Sequence, residues 1–257
     1  MNSLSRLRYL VDRPAPGTVN MARDEALAES VAGGAEGVLR IYGFDPPCVS
    51  YGRSQPEPDA REITGLESAG VETVRRPTGG LALLHMDDFT YCLALPTSSG
   101  IDRDRCFALA AEGIIGALEI LGVEAAVARH EEAGSRARWC FESAYGVDIE
   151  SGGRKVCGSA QRVYRGSILQ HGTLLLGGSG GRMLASIGLG EAAAVLMPLD
   201  EAAGRSVSWD ETRAAFERGF ADGPGLELIP SKMEPAEEKR ERELLGMNRP
   251  ENGEYMT

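Results

Sequence analysis

The run Gly153-Arg154-Lys155-Val156-Cys157-Gly158-Ser159-Ala160-Gln161 reads as a glycine turn feeding a strand whose far half carries small side chains. On either side of it, Gly146 to Ile149 and Gly172 to Leu176 read as further strands, with glycine-rich turns at Gly152-Gly153 and Gly177 to Gly181. Upstream, the same criteria predict strands at Leu7 to Val11, Gly37 to Tyr42, Cys48 to Tyr51, Glu72 to Arg75, Leu81 to Leu84, Thr90 to Leu95 and Val123 to Ala128. Phe107, Ala111, Ile114, Leu118 and Leu121 recur at helical steps, so Ile101 to Leu121 is predicted as a helix packed on a sheet. Another helix is expected from near Asn20, with Asp24 and Glu25 near its positive end and Met21, Leu27 and Val31 facing inward. Others are expected near Arg182 to Ile187, Trp209 to Phe220 and Pro235 to Leu245. Helices come in groups instead of alternating with strands. The class is therefore α+β, a mixed or largely antiparallel sheet covered by helices, and not a doubly wound fold.

At 257 residues and 42% hydrophobic content the chain can bury one substantial core. One main domain over 1–230 is expected, followed by a charged helix and tail over 231–257. No long apolar run is present, and Met1 to Arg13 has no continuous apolar stretch, so a cytoplasmic protein that does not enter membranes is expected. A monomer is the expected state. The five cysteines lack C-x-x-C spacing, and His85, His130 and His171 are scattered, so no disulfide framework and no metal are expected. A net charge of −11 argues against nucleic-acid binding. One window departs from that balance: Arg136, Arg138, Arg154, Lys155, Arg162 and Arg165 face only Glu142, Asp148 and Glu150, a local surface suited to an acidic protein partner.

Two segments can carry chemistry. In Arg75-Arg76-Pro77-Thr78-Gly79-Gly80 the glycines permit an unusual backbone and leave room for a ligand to lie on the peptide groups. The same residues also suit an ordinary tight turn in a hairpin, with both arginines solvating a strand end. In the Gly153 segment, Lys155 enters a strand whose Gly158, Ser159 and Ala160 leave space, where an ammonium would stabilise a thiolate, an oxyanion or a phosphate. Cys140 lies beside Arg136-Ala137-Arg138-Trp139, and nearby cations favour the nucleophilic thiolate. Cys48, Cys92, Cys106 and Cys157 read as inert, buried thiols. His85 reads on its own as a packed or surface histidine, and His171 either as a strand-end cap or as part of a ligand slot. Neither a Walker A sequence nor a strand-borne GxGxxG is present, which argues against P-loop and dinucleotide binding.

Together these residues resemble the biotin/lipoate protein ligase catalytic-domain family. Arg75, Arg76, Thr78, Gly79, Gly80, Ala82 and His85 match its R-R-x-[ST]-G-G-x-A-x-x-H pattern. Gly153 to Lys155 and Gly158 to Gln161 match G-R-K-x-x-G-S-A-Q, with Arg162 following directly, and Leu169 to Thr173 match L-Q-H-G-[ST]. Asn20-Met21-Ala22 with Asp24 to Leu27, and Leu39-Arg40 with Tyr42, look like its opening segments, so the resemblance runs from about Arg8 to Leu245. Cys140-Phe141 and Thr90-Tyr91 look like the family's octanoyl-[acyl carrier protein]:protein octanoyltransferase branch. Leu81 and Ala144-Tyr145 depart from the usual pattern.

The resemblance implies an octanoyl (or lipoyl) transfer from acyl carrier protein, through a thioester on Cys140, to a lysine of a lipoyl domain of a glycine cleavage H protein or a dehydrogenase E2 subunit. Lys155 would activate the thiol, and Arg75, Arg76, Thr78, Gly79, Gly80, His85, Gly158, Ser159, Ala160 and His171 would bind the substrate. No cofactor is implied for this reaction. The alternatives are an ATP- and Mg-dependent lipoate-protein ligase acting through lipoyl-adenylate, an amidotransferase between lipoyl domains, and a non-catalytic binding module.

Overall fold

The structure, a computed structural model, describes residues 4–56, 58–130, 146–186 and 196–247. In chain order the elements are β1 (Arg6–Val11), α1 (Gly17–Ala32), β2 (Val38–Tyr42), β3 (Cys48–Tyr51), α2 (Ala60–Ser68), β4 (Glu72–Arg75), β5 (Leu83–His85) and β6 (Asp88–Pro96). Then follow α3 (Arg103–Ile120), β7 (Ala126–His130), β8 (Gly146–Ser151), β9 (Arg154–Val163), β10 (Ser167–Leu175), α4 (Ser179–Ser186), α5 (Leu199–Ala203), α6 (Trp209–Asp222), β11 (Glu227–Pro230) and α7 (Pro235–Met247). The large sheet runs β11-β1-β2-β6-β10-β9-β8-β7, and a small one runs β4-β3-β5. The pairs β11/β1, β1/β2 and β3/β4 are parallel and the others antiparallel. The mixed α+β class expected from the sequence is what is observed.

The large sheet is covered on both faces, which is why its central strands read as nearly continuous apolar runs. Along β6, Phe89, Tyr91, Leu93 and Leu95 alternate toward the core shared with α3 and α6, while Cys92 and Ala94 face the opposite cluster under α1. Met21, Leu27 and Val31 of α1 are buried there, as expected. The main partner of α3 is α6 and not the sheet alone: a side chain on Gly113 would strike the Phe220 ring at 2.5 Å, so the two helices meet where α3 has no side chain. Phe107 is only half-buried: it packs at the edge of that core and also lines a cavity.

Several local expectations are corrected. The first helix starts at Gly17, because Pro16 sets its entry and the Asn20 side chain, buried inside the first turn, donates to Ala15 O at 3.0 Å and Gly43 O at 2.9 Å. Asp24 does not tend the helix end; it is buried mid-helix against Arg40. The segment Arg76 to Ala82 is not a hairpin turn. β4 and β5 lie on opposite sides of β3, so the chain between them crosses the end of β3. β10 begins at Ser167, which places Gln170 and His171 inside a strand and not before one. The helices α2 and α5 and the edge strand β11 have no counterpart in the sequence reading. Finally, α7 packs on α1 through Arg23–Glu241 and Arg240–Glu29 ion pairs, and Glu237 pairs with Arg8 of β1.

Candidate active site

A cavity of about 1120 Å³ runs along β9 and β10, roofed by the segment after β4 and flanked by α3. Its volume suits a small ligand or an acyl chain. The strands make room for it with small residues: Gly158, Ser159, Ala160 and Gly172 all line it. Gly172 is required, since a Cβ there would lie 2.6 Å from Gly158 O and 2.7 Å from both Ser159 Oγ and the Tyr91 ring. Behind it, Gln170 Nε2 donates to Tyr91 Oη at 2.7 Å, and Tyr91 shares a 2.8 Å hydrogen bond with Ser159 Oγ, so the small-residue strand is braced from the core side.

The roof is held by Arg76. Its guanidinium donates to Ser50 O (2.8 Å), to Gly79 O (2.7 and 3.1 Å) and to Leu81 O (2.8 Å), using the fork of donors that only arginine has. Gly80 adopts φ +92°, and a Cβ on Gly52 would lie 1.9 Å from Gly80 O, so β3 and the loop touch backbone to backbone. Gly79, Gly80 and Leu81 face the cavity. Arg75 is placed elsewhere: it donates to Gly52 O at 2.7 Å and Gln55 O at 2.9 Å, stapling the turn after β3, and it is not among the cavity-lining residues.

Both expected histidines are buried and their rings are held from two sides. His85 stacks on Phe44 with ring centroids 3.8 Å apart, and its Nδ1 lies 2.8 Å from Asp88 Oδ2 and its Nε2 2.8 Å from Ser50 Oγ. Thr90 joins the same group, donating to Asp88 at 3.0 Å and contacting Thr173 at 2.8 Å. His171 Nε2 lies 2.6 Å from Thr78 Oγ1, which puts Thr78 behind the cavity wall, and its Nδ1 lies 3.2 Å from Asp24 Oδ2. Burial lowers the His171 pKa, against the pull of Asp24. For Asp24, burial alone would raise the carboxyl, but the Arg40 guanidinium, with His171 and Tyr42, holds it below the ordinary range.

Lys155 enters the cavity from the start of β9, its Nζ 2.7 Å from Asp148 Oδ1 on β8. The register shift between Ile149 and Glu150 separates the two strands' pairing at this point. β8 pairs with β9 only as far as Cys157, and the backbone of Gly158 to Ala160 continues along the cavity. Cys140 lies outside the described residues, as do Ala144 and Tyr145. Cys48, Cys92, Cys106 and Cys157 are all buried, and burial pushes the Cys106 thiol up to about 12 and raises the Cys48 and Cys92 thiols as well. Three residues of the basic window are paired within the fold, Lys155 with Asp148, Arg154 with Glu201 and Arg162 with Glu25, whereas Arg136 and Arg138 lie outside the described residues.

Sequence reasoning missed Asp148, Ser50, Asp88 and the Asp24–Arg40 pair. A signal was available for two of them. Arg40 interrupts the apolar run Val38-Leu39-Arg40-Ile41-Tyr42, and Asp148 sits between Val147 and Ile149; a charge inside an apolar strand calls for a buried partner. Among the described residues, no group of three or more His, Cys, Asp or Glu is arranged to hold a metal, and no helix is long and apolar enough to cross a membrane.

The chain is 35% identical over 250 residues to an Octanoyltransferase LipM of Symbiobacterium thermophilum, covering 90% of each chain. Its fold is similar to a crystal structure of lipoate-protein ligase A bound with ATP (TM-score 0.79, 24% identity, 98% of this chain and 96% of that one). It is also similar to a bi-partite lipoate protein ligase from Thermoplasma acidophilum, studied with its E2 lipoyl domain (TM-score 0.72, 24% identity, 98% and 94%). Residues 16–221 match the family model of the lipoyl protein ligase A/B catalytic domain, and the chain belongs to that family.

Proposed function

We propose that this protein is an octanoyltransferase of lipoate metabolism that carries the acyl group on Cys140 and delivers it to a lysine of a lipoyl domain. The observation that carries the reading is the buried Lys155 ammonium, 2.7 Å from Asp148, beside a cavity walled by Gly79, Gly80 and the small residues of β9. Similarity to an Octanoyltransferase LipM over 90% of both chains supports the same reaction. The donor is octanoyl-acyl carrier protein, and the acceptor is the lipoyl domain of a glycine cleavage H protein or a dehydrogenase E2 subunit.

In the first half-reaction the Cys140 thiolate attacks the donor thioester carbonyl. An S–C bond forms to Cys140, the bond to the carrier's sulfur breaks, and the carrier leaves as a thiol with the proton that Cys140 gave up. Exchange of one thioester for another is nearly isoenergetic, so no nucleotide is consumed. In the second, the acceptor's amine attacks the Cys140 thioester, the amide C–N bond forms, and Cys140 departs and regains a proton from the amine. A fixed ammonium at Lys155 favours both the thiolate and the oxyanion of each tetrahedral intermediate. The cavity holds the acyl chain between the Gly79–Leu81 segment and β9.

The test is intact-mass analysis after incubation with octanoyl-acyl carrier protein. A single octanoyl adduct on the wild type, absent in Cys140→Ala and discharged by a lipoyl domain, is the expected result. No adduct, or an equal adduct on Cys140→Ala, overturns the reading. Lipoate-dependent pyrophosphate release from ATP, unaffected by Cys140→Ser, would point to the ligase reaction instead.

A further inference from the structure

A line of buried polar contacts joins α1 and β2 to the roof of the cavity. The Arg40 and Asp24 side chains are both fully buried. Arg40 Nη1 donates to Asp24 Oδ1 at 2.5 Å, and the Tyr42 hydroxyl donates to Asp24 Oδ2 at 2.7 Å. The Asp24 oxygen that takes the tyrosine also faces His171 Nδ1 at 3.2 Å. An ionised carboxylate only accepts, so Nδ1 must carry the ring hydrogen. The neutral ring then offers a lone pair at Nε2, and the Thr78 hydroxyl, 2.6 Å away, must donate to it. Thr78 O in turn accepts from Arg53 N at 2.8 Å, and Gly79 and Gly80, the next two residues, line the cavity.

We propose that Asp24 is a positioning residue for acyl transfer: by holding His171 as its Nδ1–H tautomer it orients Thr78 and sets the Gly79–Leu81 wall against which the acyl chain lies. The inference rests on the acyl-transfer reading above. Arg40 makes the arrangement one-directional. Its guanidinium needs an acceptor at the Asp24 Oδ1 position, so in Asp24→Asn the amide oxygen stays with Arg40, the amide NH2 takes the place of Oδ2, and the Tyr42 hydroxyl, which donates to Oδ2 in the wild type, turns to accept from that NH2. His171 Nδ1 then has to accept, the hydrogen moves to Nε2, and Thr78 loses the acceptor for its hydroxyl.

The experiment uses the full chain with 15N-labelled histidine. His171 is one of three histidines and is assigned by its loss in His171→Gln. Expected in the wild type is the Nδ1–H tautomer above about pH 7, switching to Nε2–H in Asp24→Asn. In parallel, kcat/KM for acyl transfer from octanoyl-acyl carrier protein is expected to fall by about a hundredfold in Asp24→Asn and in Thr78→Val, the scale of a displaced reacting group. Thr78→Ser, which keeps the hydroxyl, should recover most of what Thr78→Val loses. A wild-type His171 that is Nε2–H overturns the proposal even if the variants fail to fold. So does a tautomer switch in Asp24→Asn with transfer unchanged. A wild type that transfers no acyl group removes the reading on which the proposal rests, and is told apart by needing no variant.

Discussion

Lys155 Nζ stands 2.7 Å from Asp148 Oδ1, with side-chain exposures of 6% and 2%. A charge pair this deep in the fold is costly to break from one side, because the remaining partner keeps its desolvation cost without its counter-charge. Asp148→Asn should lower stability by about 3 kcal/mol in urea titration and abolish most acyl transfer. The double variant Lys155→Met with Asp148→Leu should recover much of the stability and none of the activity. If it recovered both, Lys155 would have no part in the chemistry.

The two arginines next to Pro77 make opposite predictions although they are neighbours. Arg76 holds the cavity roof through Gly79 O and Leu81 O, whereas Arg75 holds the turn at Gly52 and Gln55. Arg76→Lys, which keeps the charge but loses the fork, should reduce kcat/KM for acyl transfer by tenfold or more, on the order of 1.4 kcal/mol in transition-state binding. Arg75→Lys should cost less than Arg76→Lys in the same assay. Equal losses in the two variants would show that the roof does not depend on the Arg76 contacts.

Glycines 79 and 172 separate slot shape from fold stability. A Cβ on Gly172 meets backbone and ring atoms within 2.7 Å, so Gly172→Ala should destabilise by about 1–3 kcal/mol through overpacking. A Cβ on Gly79 meets nothing within 4 Å, so Gly79→Ala should leave stability within about 0.5 kcal/mol. Because Gly79 lines the cavity, the methyl group narrows it, and KM for the acyl donor should rise. Thermal melts and steady-state kinetics on the two variants check both halves. An unchanged melt for Gly172→Ala would contradict the close approach of β9 to β10.

Burial lowers the His171 pKa below its ordinary value of 6.5. The unfolded chain therefore takes up this proton before the folded protein does. The stability tied to neutral His171 is present in full above about pH 6.5 and declines as the pH falls below it. Asp24 acts in a lower window: its carboxyl lies below 3.8 in the fold, so its contribution persists above that value and is lost as the pH falls through the folded pKa. Urea midpoints measured between about pH 7 and 5 should fall less steeply for His171→Gln than for the wild type. Parallel slopes would mean that His171 titrates alike in both states.

Periodicity alone was enough for the parts of the fold where burial is one-sided or fully two-sided over a long run. The α3 stripe from Ala111 to Leu121, the alternation along β6 and the strand opened by Lys155 were legible for that reason. The sequence by itself also determined which residue types gather at the cavity, since small residues and paired glycines mark where backbone must come close to something. It did not determine which residues face each other. That Arg76 to Ala82 crosses β3 instead of closing a hairpin, that Arg75 and Arg76 serve different neighbours, and that Lys155 meets Asp148 while Asp24 meets Arg40 and His171 were decided by tertiary structure alone. The physical reason is range. Helical and strand periods come from dihedral geometry over a few residues, whereas a buried charge is stabilised by whichever opposite charge the strand order brings within a few ångströms, and that order is set by the packing of the whole core.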